Sequence, residues 1–220
     1  MHRFLSKKNL VFSMLVALVF MSCSTDTDIK VSGVDSFIIF DYEGEDSLPL
    51  VRLSVFAETA SDAHRVERIK IMSRETSYEW TVDEPVIIES ESKQWAGTYN
   101  FVCPEEISFP VGFYTLTYTD SGSNEVEAAF SISYPHELIG KTAREANEFL
   151  DGNVLENIVL YDENDILIYY GIYKESWRDD ARLFAENNEC VYYRRCLSVR
   201  ASSAFCLMPS VYKDVSTDDQ

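Results

Sequence analysis

Glycine is scarce in this chain, with 8 among 220 residues, and neither Gly-x-Gly-x-x-Gly nor any other phosphate-cradling glycine loop occurs. Such loops need glycine where the backbone must approach a phosphate, so that kind of nucleotide site is excluded. Histidine is scarcer still, at 3. There is no His-Glu-x-x-His and no Gly-x-Ser-x-Gly, which would place a zinc pair on a helix or a serine on a strained elbow. No Cys-x-x-Cys occurs and no histidine lies beside the C-terminal cysteines, so a zinc site has no ligand set. Nothing in the sequence implies a cofactor. Positive charge is also short: 19 Lys+Arg stand against 37 Asp+Glu, a formal charge of −18. Such a surface repels nucleic acid and anionic lipid head groups, so neither is an expected partner. The longest apolar run, Leu10–Met21, covers twelve residues and is broken by Ser13. A spanning helix needs about 20. Fixed-period repeats and low-complexity segments are absent outside the tails. Hydrophobic content of 46% and aromatic content of 13% favour a packed core over disorder.

What is present begins at the N-terminus. Arg3, Lys7 and Lys8 precede the apolar run, which has the length of an export signal's hydrophobic region. The ending Phe20-Met21-Ser22-Cys23 resembles a bacterial lipoprotein signal, although Phe20 and Met21 depart from the commoner residues at those places. The resemblance implies cleavage after residue 22, lipidation of Cys23 and a membrane contact made through that lipid. Ser24 in place of aspartate implies sorting to the outer membrane. The competing reading is an ordinary secretory signal in which Cys23 is incidental. Cleavage would remove three basic and no acidic residues, taking the formal charge from −18 to −21. Residues 23–34 are polar and read as a lipidated tether.

From 35 to 134 the signal is period-two alternation, which lines one face of a strand. Phe37–Phe40 is one short apolar run. Val51, Leu53, Val55 and Ala57 form a set, as do Ile69 and Ile71, and Tyr78, Trp80 and Val82. Trp95, Tyr99 and Phe101 follow, then Tyr114, Leu116 and Tyr118, then Val126, Ala128, Phe130 and Ile132. Trp80 and Trp95 are expected to face inward. Seven or eight strands in this span predict a mainly β, antiparallel sandwich. The segment Pro110-x-Gly112-x-Tyr114-x-Leu116-x-Tyr118, with the turn Asp120–Asn124 and the strand after it, resembles the last hairpin of immunoglobulin-like and fibronectin III-like domains of bacterial surface proteins. That resemblance implies an immunoglobulin-like β-sandwich with Tyr114 as its corner tyrosine, bonded to backbone upstream. It implies no activity.

Residues 135–212 read as a small α+β unit of no recognised family. The capping box Thr142–Glu145 opens a helix through Leu150. Asn157–Tyr161 and Ile166–Tyr173 form a hairpin around Asp162–Asp165. Ser176 caps a second helix whose apolar stripe is Trp177, Ala181, Phe184 and Ala185. Cys190–Val199 and Ser203–Met208 are two further strands, and 213–220 is a frayed, disordered tail.

Candidate sites are few. Outside the cytosol, Cys103, Cys190, Cys196 and Cys206 can form disulfides. Cys190 and Cys196 on one strand lie about 20 Å apart, too far to bond. Cys196–Cys206, closing symmetrically around Arg200-Ala201-Ser202, is the expected bridge, with Cys103 free; buried thiols are the competing reading. Tyr192 and Tyr193 are the ligand-binding candidates, and being adjacent on a strand they face opposite sides. His64, His136 and the carboxylate groups read as surface, and the acidic loops at Asp41–Asp46 and Asp162–Asp165 as solvated turns rather than calcium sites. The expectation is a cell-envelope lipoprotein acting as a non-catalytic binding or adhesion module, partnered by another envelope protein or a glycan. The alternatives are an accessory subunit of an envelope complex and a glycan-acting hydrolase.

Overall fold

The computed structural model describes residues 29–60, 62–90, 92–104 and 108–214. The segment read as an export signal, Cys23 and residues 215–220 lie outside the described residues. Among the described residues the fold is mainly β, with 53% of them in strands and two α-helices. An eight-stranded sheet has the order β10-β9-β11-β12-β1-β2-β6-β5, and a four-stranded sheet the order β4-β3-β7-β8.

The first sheet starts with β1 (Val31–Asp41) paired to β2 (Leu50–Thr59). The polar stretch read as tether therefore ends at Lys30, because Val31–Val34 already pair across to β2. β3 (Val66–Ser73), β4 (Glu79–Val82), β7 (Gly112–Asp120) and β8 (Glu125–Ile132) make the second sheet. Between them in sequence, β5 (Val86–Ser90) and β6 (Lys93–Val102) return to the first. The alternating residues meet as their pattern requires: Leu53, Val55, Ile69, Ile71, Tyr114, Leu116 and Ile132 are buried in one core shared by both sheets. Tyr114 donates its hydroxyl to the Pro110 carbonyl at 2.7 Å, the upstream bond expected of it.

Trp95 is a correction. The β2–β6 register shifts between Leu53 and Val55, where the backbone at Gly97 approaches Val55 so closely that a Cβ would lie 2.1 Å from its carbonyl oxygen. The irregularity breaks the alternation, so Ala96 and Phe101 turn to the core. Trp95, opposite Glu58 and Ile88, turns away from it, and Tyr99 is exposed. Trp80 does pack inward, against Phe109 and Tyr114.

The C-terminal strands extend the first sheet. β9 (Val154–Tyr161) and β10 (Leu167–Ile172) form the expected hairpin, and β11 (Tyr192–Val199) pairs with β9 and β12 (Ala204–Tyr212). β12 lies parallel to β1, with Phe40 opposite Cys206, so the sheet is mixed rather than wholly antiparallel. Leu197, Val199, Ala204 and Cys206 consequently join the main core. α1 (Ala143–Phe149) carries the full capping box of Thr142 and Glu145 and sets Ala143, Ala146 and Leu150 on that core. α2 (Asp180–Glu186) is capped by Asp179, not Ser176. Ser176 instead falls in a 3-10 turn, Glu175–Arg178, which drives Trp177 into a second, smaller core with Ile158, Leu160, Leu183, Phe184 and Tyr193. The helix stripe shifts accordingly: Leu183 and Phe184 are inside, and Ala181 and Ala185 outside.

Candidate functional site

Both helices and the four-stranded sheet pack on one face of the eight-stranded sheet. On the other, open face, exposed side chains surround Asn157, Val159 and Cys196, which are buried. Residues directly opposite on neighbouring strands share a face, so register fixes what this open face presents. Tyr161, Tyr192 and Tyr212 stand opposite one another across β9, β11 and β12. Their rings form a row, stacked between Tyr161 and Tyr192 with centroids 4.7 Å apart and tilted by 35° between Tyr192 and Tyr212 with centroids 5.2 Å apart. The Tyr192 hydroxyl donates to Asp165 at 3.0 Å. Desolvation, followed by that bond to a carboxylate, pushes its pKa up to about 12. Beside the row, Tyr170 is 58% exposed, Ile172 66% and Tyr212 64%, and Phe37, Leu50 and Leu155 are exposed as well.

On the same face, two residues along β11 from Tyr192, lies a partly buried charged group. Asp41 pairs with Arg52 through one carboxylate oxygen and with Arg194 through the other, the latter at 2.7 Å. Arg194 also donates to the carbonyls of Tyr42, Leu207 and Met208. The guanidinium therefore ties β1, β11 and β12 together. Asp41 is thus committed to arginines, and the Asp162 carboxylate accepts from the amides of Asn164 and Ile166. Among the described residues no three His, Cys, Asp or Glu side chains gather as a metal site.

The two tyrosine candidates part company. Tyr192 belongs to the open face. Tyr193 is buried, packs on Phe184 with ring centroids 5.9 Å apart and donates to Asp180 at 2.7 Å. Burial and that hydrogen bond raise its pKa. It is a core residue.

Cys196 and Cys206 are not bridged in the structure. The β11–β12 loop takes residues 200–203, one more than a symmetric closure around Arg200–Ser202. Cys196 thus lies opposite Leu207, and Cys206 opposite Leu197. Adjacent register positions lean to opposite faces, and all four described cysteines are free. Burial pushes the Cys196 and Cys206 thiols up to about 12, the reverse of a reactive thiolate. His64 reaches Glu89 at 3.2 Å on the surface, and His136 stacks on Tyr134.

On the covered side a cleft of about 550 Å³ opens between α1, β9, β11 and the 3-10 turn. Glu156 and Arg195 form its charged floor, bonded to each other at 3.0 Å. Neither they nor Tyr161 and Tyr212 stand out in the sequence as site residues, because only three-strand register brings the rings together and only helix placement opens the cleft. No protein-family model matches the chain, and no curated protein or solved structure gives a significant match to it.

Proposed function

We propose that the chain is a non-catalytic binding or adhesion module, held to the cell envelope through a lipid on Cys23, that docks a protein partner on the open face of its eight-stranded sheet. The observation that carries this is the row Tyr161–Tyr192–Tyr212 with exposed Tyr170 and Ile172 beside it. Aromatic anchors of this kind dominate protein interfaces, whereas isolated exposed apolar residues mean little. Because the rings stack on each other, Tyr192 offers an edge and no free face. A sugar ring needs a face to stack on, which the middle of the row does not offer, and we read the row with its exposed neighbours Tyr170 and Ile172 as a protein-docking surface. With a chain charge of −18, the complementary partner carries basic residues around an apolar patch.

An accessory subunit of an envelope complex is the same reading with a permanent partner. The Tyr114–Pro110 bond and the shared core of two sheets support an immunoglobulin-like sandwich as the scaffold. The lipobox supports anchorage in the outer membrane.

The test is site-specific photo-crosslinking in intact cells, with the reactive residue at 170, 172 or 212, and at 127 on the outer face of the other sheet as control. The proposal expects one basic protein captured from the first three positions and not from 127. Capture of a second copy of this chain, or no difference between the two faces, would overturn it.

A further inference from the structure

On β9 and β11 the covered face of the eight-stranded sheet is apolar except at one place. Along β9, Val154, Ile158 and Leu160 face the cores, and along β11, Tyr193, Leu197 and Val199 do. Glu156 and Arg195 occupy the same inward positions, with Glu156 opposite Leu197 and Arg195 opposite Ile158. They fall in the gap between the main core, roofed by α1, and the smaller core, roofed by the 3-10 turn and α2. Arg195 and Glu156 keep 28% and 36% of their side-chain surface exposed, so the pair sets charge at the bottom of an opening where the neighbouring inward positions are apolar. Breaks in an otherwise consistent pattern concentrate at functional sites.

Arg195 is held in place before any ligand arrives. Its Nη2 donates to Glu156 at 3.0 Å and to Asn147 Oδ1 at 3.3 Å, and its guanidinium lies 5.7 Å from the centre of the Tyr173 ring. Its Nε is buried without a hydrogen-bond partner, a donor that wants an acceptor. The cleft above it, about 550 Å³, is in the range of small-ligand sites and has the partly exposed Val154 and Tyr173 in its lining. Acceptors (Glu148, Asp151) and a further donor (Arg178) also line it.

From this arrangement we infer that the cleft binds a neutral saccharide. Three carboxylates against two guanidiniums leave a formal charge of −1, which disfavours phosphate or carboxylate ligands. A cationic ligand would meet an arginine fixed on the floor. A neutral sugar fits both features: each hydroxyl donates to a carboxylate and accepts from a guanidinium or amide, while its C–H groups meet Val154 and Tyr173. The pre-ordered arginine lowers the cost of binding, since fewer rotamers are frozen on association. This site is separate from the tyrosine row and stands whether or not that face docks a protein.

The test is binding of the purified soluble domain to a printed array of neutral and acidic glycans, followed by titration of the strongest hit in solution. Three proteins are compared: the parent, Asn147→Ala/Arg178→Ala, and Tyr212→Ser. Asn147 and Arg178 are exposed, so their removal leaves the fold intact. A neutral glycan should bind the parent and the Tyr212→Ser protein equally, and the cleft variant about tenfold or more weakly. Absence of any neutral hit, preference for acidic glycans, or equal affinity of the cleft variant would overturn the assignment.

Discussion

Asp120 offers the sharpest test of what holds the second sheet together. Its side chain is fully buried at the end of β7. One oxygen accepts from the amides of Gly122 and Asn124, each at 2.9 Å, and the other from Arg65 Nη2 at 2.7 Å. These bonds close the β7–β8 turn, in which Ser123 takes a φ of 60°. Hydrogen bonds to a charged group contribute about 1.5–3 kcal/mol each. The sum is not additive, because the turn amides and the partly exposed Arg65 regain water once the carboxylate is gone. Asp120→Ala is therefore expected to cost about 2–4 kcal/mol. Asp120→Asn keeps an acceptor for the turn and should cost about half as much. Urea unfolding reads both as a lower midpoint with an unchanged slope. Acid supplies the second half of the test. Burial by itself raises the Asp120 pKa, but the bonds from Asn124, Gly122 and Arg65 outweigh it and hold the carboxyl below its usual range. A depressed folded pKa gives stability that is present above the unfolded value, near about 4, and is lost as pH falls through the folded value. The gap between parent and Asp120→Asn should accordingly shrink in acid. A cost below about 0.5 kcal/mol for Asp120→Ala, or a gap constant from about pH 7 to about pH 3, would refute this account of the turn.

Other expectations are brief. Leu116→Ala empties a fully buried site and should cost about 2–5 kcal/mol, and Tyr114→Phe, which frees the Pro110 carbonyl, about 1–3 kcal/mol, both read by urea unfolding. A Tyr114→Phe protein as stable as the parent would remove the corner tyrosine from the account. Cys190, Cys196 and Cys206 should react with a thiol reagent only after unfolding, and non-reducing peptide maps should show no Cys196–Cys206 peptide. Cys23→Ala should abolish partitioning of the protein into detergent, and retention there would assign the anchor to something else.

Much of the local structure is legible in the sequence because it is set by neighbours. The β7–β8 hairpin shows in the alternation of Tyr114, Leu116 and Tyr118 around Asp120–Asn124, and α1 in its capping box. Ser176 misleads because Asp179, three residues on, caps as well, and burying Trp177 decides between them. β5 carries no alternating signal, since Val86 and Ile88 lie exposed on an edge strand. The parallel pairing of β1 with β12 joins segments more than 160 residues apart, beyond the reach of any periodicity. The sites share that origin. Tyr161, Tyr192 and Tyr212 become a row only through the register of three strands, and Glu156 stands next to Asn157 in a run that reads as plainly apolar until its partner Arg195 is known.

The central claim is that the open face docks a protein, and titration of the crosslinked partner, purified, against three forms of the chain tests it most directly. The account predicts that Ile172→Ser/Tyr212→Ser weakens binding about tenfold or more and Asn147→Ala/Arg178→Ala leaves it unchanged, with affinity for all forms falling as salt rises. Equal affinity of the parent and the Ile172→Ser/Tyr212→Ser protein would contradict it.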